Sequence, residues 1–424
     1  MIHWNSINYD KIGFNPFINA DEGDLQMHFI HSYPAKFPAF IASGAFEYAK
    51  ERGIDVKRAS DIFCGCGTTA LESKKRGVDF WGCDINPVAT LIADVKSKDY
   101  DEEKLDYYFN RIIRSTKVMM KDGEDHYPDA NERLVYWFSR EAYNDLYYLL
   151  ESIKSEVDEV KYRNAFLCLF SSILKQSSRW LQKSIKPQID PNKSNADIFR
   201  LFENKYTQFG NSVEELKKKN IESNCKIEIR QCSFKRKGRL PKADLIVTSP
   251  PYVTSYEYAD LHQLSLLWLG CCSDYRDFRK GPVGSSYGLE KSTKKMKLNN
   301  TGTEIVDALI NAHTPSSKWK SVERYYSDIE AMSKVCWRMV NDGGMAFFVI
   351  GDSELRGVRL LNSKHLIESL EKAGFGDIEM FKRIVSKGIC VPYRDRSGKF
   401  TREMKACKEI YHEEYIVVGR KDAV

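Results

Sequence analysis

Thr248-Ser249-Pro250-Pro251-Tyr252 follows directly on the apolar run Asp244-Leu245-Ile246-Val247. A short apolar run bounded by prolines reads as a buried strand, so these five residues lie at its exit. Two consecutive prolines fix φ and remove two N–H donors. The Ser249 hydroxyl and the Pro250 carbonyl are then left as acceptors. Acceptors aligned on the hydrogens of an exocyclic amine orient it and favour a pyramidal nitrogen whose lone pair faces an electrophile. Tyr252 adds a ring on which an extruded base can stack. The same residues also suit a rigid strand exit with no chemistry.

A second constellation is Asp61-Ile62-Phe63-Cys64-Gly65-Cys66-Gly67-Thr68-Thr69. It reads as a strand end, a glycine turn and the start of a helix, with the glycines allowing sharp turning and close ligand approach. Seventeen residues beyond Gly67 a second strand, Val78–Asn86, carries Asp84 near its end. A carboxylate there suits the two hydroxyls of a ribose. The pattern is neither GxGxxG nor a phosphate loop with GK[ST].

The positioning elements alternate. Residues 38–52 predict a helix, 60–67 a strand and turn, 68–77 a helix ending at Gly77, and 78–86 a strand, the start of a doubly wound sheet. From about 100 to 225 apolar residues recur every three or four positions, as in LDYYFNRIIRSTKVMM and YRNAFLCLFSSILKQSSRWL, which predicts a helical insertion. Its aromatics Tyr136, Trp137, Tyr147 and Tyr148 are expected in its core. CKIEIRQ and ADLIVT return to strand pattern. Residues 254–320 show few clear elements. Then come the helix VERYYSDIEAMSKVCWRMV, the strand MAFFVIGDS, a helix ending at Gly374, and two closing strands. One α/β domain split by inserts is the economical architecture.

With FCGCG and TSPPY in this order, about 180 residues apart, the chain resembles the exocyclic-amino DNA methyltransferases, the N4-cytosine and N6-adenine enzymes of restriction–modification systems. His31-Ser32-Tyr33-Pro34-Ala35-Lys36-Phe37, TSYEYADLHQLSLLWLG at 254–270 and DGGMAFFVIGDSELRG at 342–357 are similar to further family segments. The resemblance covers most of 28–100 and 240–420. It implies a Rossmann-like S-adenosylmethionine-dependent methyltransferase sheet with a mainly helical insertion. Residues 1–100 would form the cofactor-binding half, 101–225 the insertion and candidate target-recognition region, and 226–424 the catalytic half with a variable loop at 271–320, the other candidate for target recognition. The cofactor implied is S-adenosyl-L-methionine. Tyr33, Pro34 and Lys36 would serve its methionine end, and Asp61, Phe63, Gly65, Gly67, Thr68 and Thr248 would surround it. Asp84 would hold the ribose, and Ile85 or Asn86 would border the adenine. Ser249, Pro250, Pro251 and Tyr252 would carry the amine chemistry. A serine in place of the family's alternative aspartate leans towards cytosine N4 over adenine N6.

The chain departs from the family at Ile229-Arg230-Gln231-Cys232-Ser233, where an acid often contacts the adenine. Ser233 is the acceptor available there. No Pro-Cys nucleophile of C5-cytosine methylation is present. His31 is a candidate base, with a structural or cofactor-contacting role as the alternative. Asp260, His262 and Asp352 fall near the cleft or serve structure.

Bulk properties agree with this and exclude little. The net charge is +6 and the charged fraction 29%. Basic stretches lie at 235–242, 291–297 and 179–193, suited to a polyanion or to a solvated surface. Eleven cysteines without a CxxC pair imply reduced structural thiols and no metal site. No apolar run approaches a membrane span, and the start, MIHWNSINYDKIGFN, lacks a signal-peptide pattern, so a cytoplasmic protein is expected. Double-stranded DNA is the implied partner, with a cognate restriction endonuclease acting on the same site. Two rivals stand beside this reading. One is an RNA amino-methyltransferase, which usually carries an RNA-binding appendage. The other is a silent nucleic-acid binder, which would fail to bind cofactor.

Overall fold

The computed structural model describes residues 24–423, apart from 35, 222–223, 237, 254–256, 286, 288–295, 385–392, 395–399, 402–407 and 410–412. The opening segment and most of the 291–297 basic run therefore lie outside the described residues.

Seven strands form the central sheet: β1 (Arg58–Asp61), β2 (Asp79–Asp84), β3 (Ile227–Gln231), β4 (Ala243–Thr248), β5 (Val340–Ile350), β8 (Gly376–Ile384) and β12 (Glu413–Arg420). Their order is β3-β2-β1-β4-β5-β12-β8. The first five pair in parallel, and β12 runs antiparallel between β5 and β8. Two short ribbons accompany it, β6 (Ser353–Leu355) with β7 (Val358–Leu360), and β9 (Tyr393–Arg394) between β10 (Phe400–Thr401) and β11 (Lys408–Glu409). This is an α/β Rossmann-like sheet with a mainly helical insertion, as expected.

Both faces of the sheet are covered, which is why β4 and β5 are apolar without alternation. On one face Leu245, Val247, Phe347 and Val349 pack under α1 (Ala39–Glu51), α2 (Thr68–Lys75) and α3 (Pro87–Ser97). On the other Ile246, Phe348, Ile350 and Val417 meet α11 (Asn300–Asn311), α12 (Ser316–Met339) and α13 (Asn362–Ala373). Gly374 ends α13 in the left-handed region, φ 111°, as its sequence position predicts.

Residues 101–225 supply α4 (Glu102–Asp122), α5 (Glu132–Trp137), α6 (Arg140–Glu156), α7 (Val160–Ser177) and α8 (Ile198–Lys218). Side-chain caps start them: Asp101, Asn131, Ser139 and Asp197 accept N–H bonds ahead of α4, α5, α6 and α8. Their apolar faces share one core with Leu71 of α2 and with Val88, Ile92 and Val95 of α3. These helices are thus a third layer on the cofactor half. Trp137 and Tyr148 are buried, whereas Tyr136 is 48% exposed under the Arg133 guanidinium, contrary to the core expectation. The stretch 254–320, expected to hold few elements, contains α9 (Tyr258–Leu261), α10 (Gln263–Trp268), a 3-10 turn at Tyr275–Arg279 and α11.

Candidate active site

The strand order reverses between β1 and β4, and a crevice outside the carboxyl ends of strands at such a point is where open α/β sheets bind ligands. A cleft opens there, with about 1040 Å³ of space counted together with the open solvent at its mouth. Its walls bring together Tyr33, Lys36, Phe63, Gly65, Thr68, Asp84, Ile85, Ser249 and Pro251 from the residues singled out in the sequence.

The glycine turn is held by its neighbours. Gly65 and Gly67 have φ of 47° and 79°. A Cβ on Gly67 would stand 2.8 Å from Ala93 Cα and Cβ, so the turn lets α3 pack directly against it. The Gly65 N–H donates to Asp84 Oδ2 (3.0 Å) and the Asn86 N–H to Oδ1 (2.9 Å). Burial raises the Asp84 pKa, and these backbone donors oppose the rise. Each carboxylate oxygen keeps a second lone pair for a ligand hydroxyl. Tyr33 lies 3.5 Å from where a Gly65 Cβ would be, and its ring stacks on buried His262 at 4.9 Å.

Asp61 and Thr248 are buried and are not among the residues that line the cleft. Thr248 Oγ1 donates to Asp61 Oδ1 at 2.6 Å, and Asp61 also accepts from the Phe63 N–H (3.0 Å) and Thr69 Oγ1 (3.3 Å). The pair bolts β1 to β4. Burial pushes the Asp61 carboxyl up to about 7. Pro34, Gly67, Pro250 and Tyr252 are likewise absent from the lining.

At the exit of β4 the Ser249 hydroxyl donates to the Val349 carbonyl of β5 at 3.1 Å. Its only proton is thereby committed and its lone pairs remain as acceptors at the cleft wall. Tyr252 turns its hydroxyl to Glu414 of β12 (2.9 Å) and packs its ring against Gly351, where a Cβ would be 3.1 Å away. Lys36 lines the cleft while its Nζ donates to the His28 carbonyl (3.1 Å), and burial lowers its pKa.

The histidines serve structure. His31 bonds Ser171 Oγ through Nε2 (2.9 Å), and burial, with nearby His262 adding, drives its pKa down to about 3. Its ring is held inside the protein, with Nδ1 bonded to the Ser32 carbonyl at 3.0 Å. His28 bonds buried Glu72 at 3.1 Å. Asp260 is ion-paired to Arg279 at 2.6 Å.

Sequence reasoning gave no part to Phe234, Phe278 and Val283, which line the wall with Phe37 and Tyr258 of the family-like segments. Phe234 meets Phe63 edge to face at 5.2 Å. Both stand just past the carboxyl end of a parallel strand, a positional signal that could have exposed Phe234. Cys232 and Ser233 lie beside it, so the position without an acid does border the cleft. Among the described residues no cluster of three His, Cys, Asp or Glu is arranged to hold a metal, and no helix is long and apolar enough to cross a membrane.

The type II methyltransferase M.MvaI of Kocuria varians is 23% identical over 398 residues, covering 87% of this chain and 86% of its own. The chain is similar to type II methyltransferases along most of its length. M.MjaII of Methanocaldococcus jannaschii, another type II methyltransferase, is 30% identical over 175 residues, which span 38% of this chain and 31% of that protein. M.BsoBI of Geobacillus stearothermophilus, also type II, is 24% identical over 267 residues, 56% of this chain and 52% of its own. No family model matches. The solved rRNA methyltransferase aviRa of Streptomyces viridochromogenes aligns over 94% of this chain and 90% of its own at 8% identity and a TM-score of 0.34, too distant to inform the site.

Proposed function

We propose that the protein transfers a methyl group from S-adenosyl-L-methionine to the exocyclic N4 amine of a cytosine in double-stranded DNA, as the modification enzyme of a restriction–modification system. The observation that carries this is the state of Ser249: its proton is held by Val349, so it faces the cleft as an acceptor on the same wall system as the nucleoside-type site around Asp84.

The residues present fit the cofactor. Asp84 offers lone pairs to a ribose, Phe63 and Phe234 form an aromatic corner for a flat base, and Tyr33, Lys36 and Thr68 line the same cleft. When bound, S-adenosyl-L-methionine supplies an electrophilic methyl. The chain's own part is positioning. Ser249 Oγ and the Pro250 carbonyl accept from the two amine hydrogens, directing the nitrogen lone pair and stabilising the positive charge that develops there. No covalent bond to the base is needed, and one amine proton leaves to water once the nitrogen has gained the methyl group. Tyr252 is the stacking partner of the extruded base. Its present position, on Gly351 and Glu414, requires it to turn towards the cleft when a base enters. The similarity to type II methyltransferases supports DNA as the substrate, and serine in the TSPPY loop supports cytosine.

The test is Ser249→Ala. Its expected effect is a fall in kcat of about 10²–10³, the usual result of removing one preorganised charge-stabilising group, with cofactor affinity unchanged by calorimetry. Wild-type turnover in this variant overturns the assignment.

A further inference from the structure

Between α7 and α8 the chain makes one excursion, residues 178–197, that transfer chemistry does not use. Its inner side is pinned by two lysines turned inward. Lys175 Nζ donates to the carbonyls of Gln182 (3.1 Å) and Ser184 (2.9 Å). Lys193 Nζ donates to the carbonyls of Lys175 (2.9 Å) and Trp180 (3.0 Å). Burial lowers the pKa of both, that of Lys193 to about 8. The Leu181 N–H donates to the Gln188 carbonyl at 2.7 Å, and a bridge joins Trp180 to Ile189. The Ser184 carbonyl also receives the Trp180 indole N–H at 3.2 Å. The loop is preorganised, which a mere connection does not need.

The loop is also tied to the cleft. Buried Trp180 stacks on Trp137 at 5.0 Å, whose indole N–H donates to Gln263 Oε1 at 2.9 Å. Gln263 Nε2 donates to the Asp260 carbonyl at 2.7 Å. Asp260 follows Tyr258 and Ala259, which are cleft-wall residues. A continuous chain of packed groups thus sets this loop against the wall.

Outwards it exposes Arg179, Gln182, Lys183, Ile185, Lys186 and Gln188, with no carboxylate between 179 and 189. Ile185 is 48% exposed, unusual at the tip of a loop fixed this firmly. Cations suit phosphates, side-chain amides read base edges in hydrogen-bonding pairs, and an exposed aliphatic group packs in a groove or between base steps. The combination fits a duplex. Single strands are held by stacking on aromatic rings, and the only aromatic ring of this loop, Trp180, is buried.

Resting on the proposed function, we infer that the loop 179–189 is the finger that enters a groove of double-stranded DNA beside the target base. Lys183 and Lys186 contact phosphates, Gln182 and Gln188 read sequence, and Ile185 packs against the bases.

The experiment uses the full chain with duplex DNA from a methylation-deficient bacterium. Lys183→Ala with Lys186→Ala is expected to raise KM for DNA at least tenfold and to reduce the salt slope of binding by about two. The kcat at saturating DNA and the affinity for S-adenosyl-L-methionine stay within twofold. Lys193→Met, which loosens the loop without removing an exposed charge, raises KM in the same direction. Gln182→Ala or Gln188→Ala widens the set of methylated sites at one fixed position, read by sequencing. Unchanged KM, salt slope and site set in all variants, with a wild type that methylates DNA, overturns the loop assignment alone. A wild type that binds cofactor and methylates no duplex overturns the functional proposal and the loop with it.

Discussion

Asp84→Asn keeps the shape of the side chain and removes only its charge and one acceptor. In the native turn both oxygens accept backbone N–H groups, Gly65 on Oδ2 and Asn86 on Oδ1. An amide must therefore set its NH₂ against one of these donors. A buried donor left unsatisfied costs about 1–3 kcal/mol, and this is felt by the empty protein as lowered thermal stability. The complex loses more. A hydrogen bond from a ribose hydroxyl to a charged acceptor is worth about 1.5–3 kcal/mol, so cofactor affinity falls by a further 10- to 150-fold or so. Calorimetric titration with S-adenosyl-L-methionine and a thermal melt of the free protein separate the two terms. An Asn variant that melts like wild type and binds within threefold of it refutes the role given to Asp84.

Three other outcomes are expected. Gly67→Ala combines a left-handed φ, about 1–2 kcal/mol, with a 2.8 Å approach to Ala93 that overpacks the site by about 1–3 kcal/mol. Gly53→Ala shares a φ of 74° but meets nothing within 4 Å, so urea titration should show it losing only the first amount. Asp61, raised from 3.8 to about 7 by burial, binds a proton in the folded state that the unfolded chain has released. Its stabilising contribution is complete below about pH 4 and is lost as pH rises towards 7, at about 1.4 kcal/mol per unit. Stability measured against pH should fall more steeply across this window for wild type than for Asp61→Asn; parallel curves contradict it. Tyr252→Phe, which frees the ring from Glu414, should retain transfer to within about tenfold, whereas Tyr252→Ala loses the stacking surface, worth about 1–3 kcal/mol per base. Equal steady-state rates in these two variants remove the stacking role.

The parts of the site that sequence made legible are those built from one continuous segment. Gly65 and Asp84 fall in one strand–turn–helix–strand run, and Ser249 precedes two prolines at the exit of a buried strand; all three line the cleft. Phe234 and the stretch Phe278–Val283 lie outside the two motifs in sequence and reach the cleft only through the folded chain. Asp61, a carboxylate at a strand end that reads as ligand-facing, is buried in the structure and accepts from Thr248. The fold was legible where strand and helix alternate with clear stops such as Gly374. It was illegible in 254–320, where α11 begins at Asn299-Asn300-Thr301-Gly302, a run that local preference assigns to a turn until the Asn299 side chain caps it. The amphipathic helices of 101–225 were visible, but periodicity reveals an apolar face and not what it meets. Val88, Ile92 and Val95 of α3 supply the answer.

Mass spectrometry of nucleosides from the DNA of a methylation-deficient bacterium expressing this protein tests the central claim most directly. N4-methylcytosine at one short sequence is expected, and none from cells carrying Ser249→Ala. N6-methyladenine in its place contradicts the base assignment, and unmodified DNA from cells making folded protein contradicts the proposed function.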